Sequence, residues 1–214
     1  MVWVETKKGI FEGLAPEKLR QPQEISVSIT LSNLPPATRT THRFHTWIAR
    51  PELKDAFAAI RHFVLKPKHH FITLAGPPGT GKTHIAIATL WEWLEMGYGT
   101  GCYWTASALL DHLRGYYDSA SRNDTDTLEI TINWLKKCGL LVIDDIGANK
   151  STPWADDKLQ EIIDHRYLND KLTVATTNLK PTDLPPRISD RLMEGVVVPI
   201  IAPSYRPIKA KERS

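Results

Sequence analysis

Cysteine is scarce in the 214 residues. There are two, Cys102 and Cys138, and neither stands in a Cys/His spacing that would ligate zinc. A disulfide scaffold and a zinc module are therefore excluded. Each cysteine flanks a stretch that reads as a strand, so buried, reduced thiols are expected. Long apolar runs are also missing. Nothing approaches the roughly 20 residues needed to cross a bilayer, and the opening residues Met1 to Lys8 lack the apolar core of a secretory signal. We expect a cytoplasmic chain with no membrane contact. An excess of one charge is absent too: 27 Lys and Arg stand against 24 Asp and Glu, for a formal net charge of +3. That balance permits nucleic-acid binding without arguing for it. With 42% hydrophobic and 24% charged residues, the composition is that of a globular chain. The length suits one sizeable domain plus an extension, and no internal repeat is visible.

What is present is a complete phosphate-binding loop pattern, Gly76-Pro77-Pro78-Gly79-Thr80-Gly81-Lys82-Thr83. Phe71 to Ala75 before it reads as a short buried strand, and Ile85, Ala88, Thr89 and Trp91 to Leu94 after it fall on helical spacing. Strand, glycine loop and helix start together make a cradle for polyphosphate. The glycines let backbone N–H groups turn inward without a Cβ clash, and the helix N-terminus adds partial positive charge. Lys82 is expected to reach the outer phosphates, and the Thr83 hydroxyl to ligate Mg²⁺.

Along the chain, Pro16 to Arg20 suggests a short helix, and the alternation of Ile25, Val27, Ile29 and Leu31 predicts a strand. Residues 33–38 break the chain. A helix is expected over Pro51–Leu65, with Leu53, Phe57, Ile60 and Val64 on one face. Then come a strand at Gly101–Thr105, a helix at Ser107–Tyr117, a polar loop at Asp118–Asp126 and a helix at Thr127–Cys138. Leu140–Ile143 reads as a buried strand, Pro153–Leu168 as an amphipathic helix with proline in its first turn, Leu172–Thr177 as a strand, residues 181–194 as loop and helix, and Val196–Val198 as the last strand. Strands alternating with helices predict an α/β fold: a parallel five-stranded sheet with helices on both faces. The expected division is an N-terminal extension over 1–45 that offers a partner-binding segment, a core over 46–206, and a solvated tail over 207–214.

A phosphate loop needs an acid beside it. Leu140 to Ile143 end in Asp144 and Asp145, which the strand delivers to the crevice where such sheets bind ligands. Asp144 is expected to hold Mg²⁺ through water, and Asp145 to polarise the attacking water. The strand Thr173 to Thr177 ends in Asn178, which either donates to a phosphate oxygen or holds the nucleophilic water. Arg187 and Arg191, one helical turn apart, read either as salt-bridge partners of Asp190 and Glu194 or as carrying an arginine finger.

The series Gly-Pro-Pro-Gly-Thr-Gly-Lys-Thr, Leu-Leu-Val-Ile-Asp-Asp-Ile-Gly, Thr-Thr-Asn-Leu, Arg-Ile-Ser-Asp-Arg-Leu and Ser204-Tyr205-Arg206 resembles the AAA+ ATPases of the DnaC/DnaI helicase-loader and IstB group over about residues 44–206. The resemblance implies a P-loop NTPase of the AAA+/ASCE type that binds ATP or ADP with Mg²⁺ and hydrolyses ATP. It makes Gly76 to Thr83 the nucleotide-binding loop, Thr83 and Asp144 the metal residues, and Asp145 and Asn178 catalytic. Arg191 becomes a finger acting on a neighbouring subunit in a homo-oligomer, and Arg206 a nucleotide-sensing arginine of the same chain. A separate helical lid is not expected, since the chain ends eight residues after Arg206. Asp145 stands where many AAA+ proteins have Glu, which implies slow, switch-like hydrolysis. Residues 1–45 hold no counterpart of the cysteine cluster found in some loaders.

The resemblance implies an ATP-dependent loader of a replicative helicase that binds single-stranded DNA. His112, Arg114, Tyr116, Tyr117, Arg122, Lys136 and Lys137 offer cations and stacking rings for DNA, or else form a solvated basic face. An IstB-like regulator of a transposase keeps the fold and changes the partner. A P-loop kinase of a small molecule would leave the Asn178 and Arg191 motifs without a role, and a DNA-binding module using nucleotide only structurally would leave hydrolysis out.

Overall fold

The structure, a computed structural model, describes residues 3–6, 9–12, 22–47, 51–65, 70–118, 122–148 and 152–205. Two short strands, β1 (Trp3–Thr6) and β2 (Gly9–Glu12), pair antiparallel with each other. Helix α1 (Pro22–Thr30) and a single helical turn, α2 (Thr38–Thr41), follow. A 3-10 turn at Pro51–Leu53 opens α3 (Lys54–Leu65). Strands and helices then alternate: β3 (Phe71–Ala75), α4 (Lys82–Glu95), β4 (Gly101–Thr105), α5 (Ala106–Asp118), α6 (Arg122–Lys137), β5 (Leu140–Ile146), α7 (Pro153–Leu168), β6 (Leu172–Thr177), α8 (Pro186–Glu194) and β7 (Val196–Pro199).

Strands β3 to β7 form one parallel sheet in the order β4-β5-β6-β3-β7. Side chains alternate between its faces, so each strand feeds two cores. Ile72, Leu74, Val142, Val174 and Val198 meet α3 and α4 on one face; Phe71, Leu141, Ile143 and Ala175 meet α5 to α8 on the other. Each buried Leu or Ile contributes about 1.5–3 kcal/mol relative to exposure. The expected α/β sheet covered on both faces is the fold observed.

Local differences from expectation have physical causes. Ile25–Thr30 is helical, not a strand, and Leu31 follows in a turn. Val27 and Leu31 are exposed, while Ser28, Ile29 and Ser32 point inward with Ile25 partly covered, which is spacing i, i+3, i+4, i+7. The alternating apolar residues suggested period 2, but helix packing was decided by the small serines. The expected polar loop over Asp118–Asp126 is helical from Arg122, because α6 extends by a turn beyond its apolar residues. The helix expected at Pro16–Arg20 and the tail 207–214 lie outside the described residues.

The segment 22–47 lies on α4 and the free edge of β4. Ile29, Leu34, Phe44 and Trp47 join the core of that face. Trp91 Nε1 donates to Thr38 Oγ1 at 3.0 Å, and Arg43 pairs with Glu95. At the edge, Tyr103 N–H donates to the Ser32 carbonyl at 2.8 Å.

On the opposite face Arg166 of α7 is fully buried. Its guanidinium donates to the Leu135, Cys138 and Leu172 carbonyls at 2.6, 2.9 and 2.6 Å, and to Thr173 Oγ1 at 3.0 Å. Burial holds its pKa below the ordinary value. The fork satisfies the open C-terminal carbonyls of α6 and ties them to β6.

Candidate active site

Strand order builds the site. Strand β6 lies between β3, which leads into the phosphate loop, and β5, which ends in the two acids. The tip of β6 therefore delivers Asn178 between them. The loop itself turns through left-handed backbone at Gly79 (φ +80°) and Gly81 (φ +101°), conformations that favour glycine. At Gly76 the constraint is space: a Cβ there would lie 2.2 Å from the Ile200 carbonyl oxygen.

Lys82, only 6% exposed, donates from Nζ to the Gly76 and Pro77 carbonyls at 2.8 and 2.7 Å and to Asn178 Oδ1 at 2.7 Å. The Asn178 amide donates in turn to Asp145 Oδ1 at 2.5 Å. Asp144 is buried and held by three hydroxyls. Thr83 and Thr176 donate to its Oδ1 at 3.1 and 2.6 Å, and Tyr103 donates to its Oδ2 at 3.1 Å. Burial, reinforced by the Asp144 charge, pushes the Tyr103 phenol well above its ordinary pKa, so it remains a donor.

Asp145 owes its direction to an irregularity in the sheet. The β5–β6 register shifts between Ile143 and Ile146, and Asp145 sits in the bulge at φ +61° with its N–H on Thr176 Oγ1 at 2.9 Å. A bulge re-aims a side chain at a strand end. Among non-glycine residues Asp tolerates that left-handed backbone well, which is a local reason for aspartate rather than glutamate here.

A cleft of about 610 Å³ opens over these groups, lined by Gly79, Gly81, Lys82, Thr83, Asp145 and Asn178, with Thr40, Thr46, Trp47 and Tyr205 forming the remaining wall. Trp47 stacks on Phe57 with ring centroids 5.1 Å apart. Its indole Nε1 is buried without a hydrogen-bond partner, and it would stand 3.2 Å from a Cβ placed on Gly81. An orphaned donor at the loop, the glycine cradle, and the oxygens of Thr83 and Asp144 fit a nucleotide polyphosphate with a hard divalent cation. The sequence did not single out Trp47, Tyr103 or Thr176. Their partners lie far away in the chain, and no spacing announces them.

Arg191 lies elsewhere. It lines a second cleft of about 520 Å³ with Gln160, Asp164, Arg187, Asp190 and Glu194. Its Nε meets Asp164 at 2.9 Å, an Nη meets Glu194 at 3.0 Å, and the guanidinium covers the Tyr167 ring at 4.4 Å. The Asp164 hydrogen bond raises its pKa. Arg187 is exposed. Arg206 lies outside the described residues. Of the residues considered for DNA, His112 stacks on Trp104 and meets Tyr116 edge-on, each at 4.9 Å, and Arg114 covers Trp154 at 5.3 Å. Lys136 is engaged by Glu161 at 2.7 Å. The side chains of Tyr117 and Arg122 lie outside the described residues.

A family model described as IstB-like ATP binding protein matches residues 14–206, reaching further toward the N-terminus than the motifs do. The phage-like element PBSX protein XkdC of Bacillus subtilis (strain 168) is 28% identical over 138 residues, 59% of this chain and 49% of that protein. A protein designated an ATP-binding protein of insertion sequence IS5376, from Geobacillus stearothermophilus, is 32% identical over 153 residues, 69% of this chain and 56% of that protein. Among solved structures, the crystal structure of the DnaC helicase loader is 25% identical with a TM-score of 0.66, covering 76% of this chain and 98% of that one. The chain spans about half the length of the curated relatives it matches. No helix among the described residues is long and apolar enough to cross a membrane.

Proposed function

The chain belongs to the family of IstB-like ATP-binding proteins, and from that premise we propose that it hydrolyses ATP as a loader of a replicative helicase. One observation carries the reading: Lys82, Asn178 and Asp145 form a continuous hydrogen-bonded chain beside the Thr83–Asp144 pair. Phosphate-binding and water-handling groups thus share one crevice, as phosphoryl transfer requires.

The residues act as follows. Loop N–H groups and the N-terminus of α4 bind the phosphates. Lys82 exchanges its carbonyl and carboxamide partners for phosphate oxygens, and Trp47 Nε1 donates to an acceptor on the nucleoside. Thr83 and Asp144 would hold Mg²⁺, which when bound neutralises charge on the outer phosphates. Asp145 accepts the proton of the attacking water, and Asn178 orients that water. Arg191 reaches from one subunit to the phosphates bound by the next, exchanging Asp164 and Glu194 for them. Arg206 senses the nucleotide within its own chain. The half-buried Trp104–His112–Tyr116 column with the exposed Arg114 supports single-stranded DNA binding, since partly open rings beside cations stack bases without sequence preference. The described contacts of 22–47 leave the outward face of α1 for a partner protein, in keeping with residues 1–45 as a partner-binding extension on a 46–206 core.

The relative from an insertion sequence favours a second reading with a transposase as partner. Affinity purification beside the host's replicative helicase and a neighbouring transposase separates them. For the core activity, phosphate release is measured against protein concentration with and without single-stranded DNA. Turnover per subunit should rise with both and vanish in Lys82→Ala; turnover indifferent to both sinks the assembly reading.

A further inference from the structure

We propose that Tyr103 is a positioning residue for the Asp144 carboxylate, and that the Ser32–Asn33 turn sets it in place; this rests on the ATP and Mg²⁺ reading of the cleft. In the sheet, Thr105 lies opposite Asp144 and Tyr103 opposite Val142. Tyr103 and Asp144 therefore share a face as diagonal neighbours, within reach of a long aromatic side chain. The ring lies in the core beside Val142, and the hydroxyl reaches Asp144 Oδ2 at 3.1 Å.

Phenylalanine would fill the same volume, and a buried hydroxyl costs stability unless it is bonded. What the hydroxyl contributes is a fixed point on the oxygen that the threonines do not touch. Thr83 and Thr176 both donate to Oδ1. Thr83 belongs to the phosphate loop and is the hydroxyl expected to turn to the metal. Thr176 and Tyr103 belong to the sheet and grip one oxygen each, so the plane of the carboxylate stays set once Thr83 leaves.

Tyr103 is itself clamped. β4 is an edge strand, and at this residue both outward backbone groups are taken by the N-terminal segment. Tyr103 N–H donates to the Ser32 carbonyl at 2.8 Å, and Asn33 Nδ2 donates to the Tyr103 carbonyl at 2.9 Å. Asn33 sits at φ +56°, a left-handed conformation that Asn tolerates. The segment after α1 thereby fixes where the phenol begins, and the phenol fixes how Asp144 faces the cleft.

The test is the Mg²⁺ dependence of binding of a fluorescent ATP analogue to the full chain, alongside thermal melts without nucleotide. Tyr103→Phe should melt within about 3 °C of the parent. It should need about 10-fold to 100-fold more Mg²⁺ for half-saturation, and bind as the parent does at saturating Mg²⁺. Half-saturation within about twofold of the parent overturns the role of the hydroxyl. Asn33→Asp keeps the left-handed preference and replaces the donor by an acceptor. It should shift the Mg²⁺ requirement several-fold in the same direction, and an unmoved requirement overturns the role of the turn. If the parent itself shows no Mg²⁺-dependent binding, the nucleotide reading fails first, an outcome distinct from a parent and a Tyr103→Phe variant that bind alike.

Discussion

Lys82 donates to the Asn178 carboxamide oxygen at 2.7 Å across the gap between two neighbouring strand ends, and that same carboxamide donates to Asp145. A neutral amide does both jobs because it carries an acceptor and a donor on one planar group. We expect Asn178→Ala to bind nucleotide within a few-fold of the parent and to lose about 10²–10³ in turnover. Asn178→Asp keeps an acceptor for Lys82 but sets a second carboxylate against Asp145, so its turnover should be no better. Analogue titration and phosphate release read the two quantities separately.

Arg191 is held within its own chain by Asp164 and Glu194, partly exposed pairs worth about 0–1 kcal/mol each. That hold is weak enough for a neighbour's phosphates to outcompete. Arg191→Ala should leave nucleotide affinity unchanged while abolishing the rise of turnover with protein concentration. Arg187→Ala should leave that rise in place. If the two variants behave in the opposite way, the finger is Arg187.

The fully buried Arg166 makes a different prediction. Arg166→Leu would strand the Leu135, Cys138 and Leu172 carbonyls in the core. An unsatisfied buried acceptor costs about 1–3 kcal/mol, so with three of them a loss of at least about 3 kcal/mol is expected in urea unfolding. Arg166→Lys should recover little, because a point donor cannot serve carbonyls that lie in several directions.

Cys102 supplies a pH test. Burial pushes its thiol from 9.0 up to about 12. The folded chain therefore keeps a proton that the unfolded chain releases, and stability from this group is present below pH 9 and is lost as pH rises toward 12. Unfolding free energy should decline over that interval and decline less in Cys102→Ala. Iodoacetamide at pH 8 should leave Cys102 unmodified in the folded protein and alkylate it in urea, as read by mass spectrometry.

The sheet was legible because its strands are short apolar or β-branched runs set between helical patterns. Phe71–Ala75, Gly101–Thr105 and Leu172–Thr177 were expected at the limits they have. The loop and its acids were legible because their chemistry requires fixed residue types at fixed places. Less legible was α1, where Val27 and Leu31 mimic a strand while Ser28 and Ser32 make the contacts. Asp144 was expected, but its attendants Tyr103 and Thr176 were not, since each comes from another strand and is defined by register. Trp47 and Arg166 were missed for the same reason: their importance lies in burial, which local pattern does not encode for an indole or a guanidinium.

The stretch after β7 is tied to the end of β3 and to the phosphate loop it feeds, Ile200 N–H on the Ala75 carbonyl at 2.7 Å and Tyr205 N–H on the Gly79 carbonyl at 2.8 Å. With the Ile200 carbonyl wedged where a methyl group on Gly76 would go, loop and strap have no slack between them. A ligand that tightens the loop must pull the strap along with it. A fluorophore attached at Ser204 should therefore signal nucleotide arrival before any phosphate is cleaved.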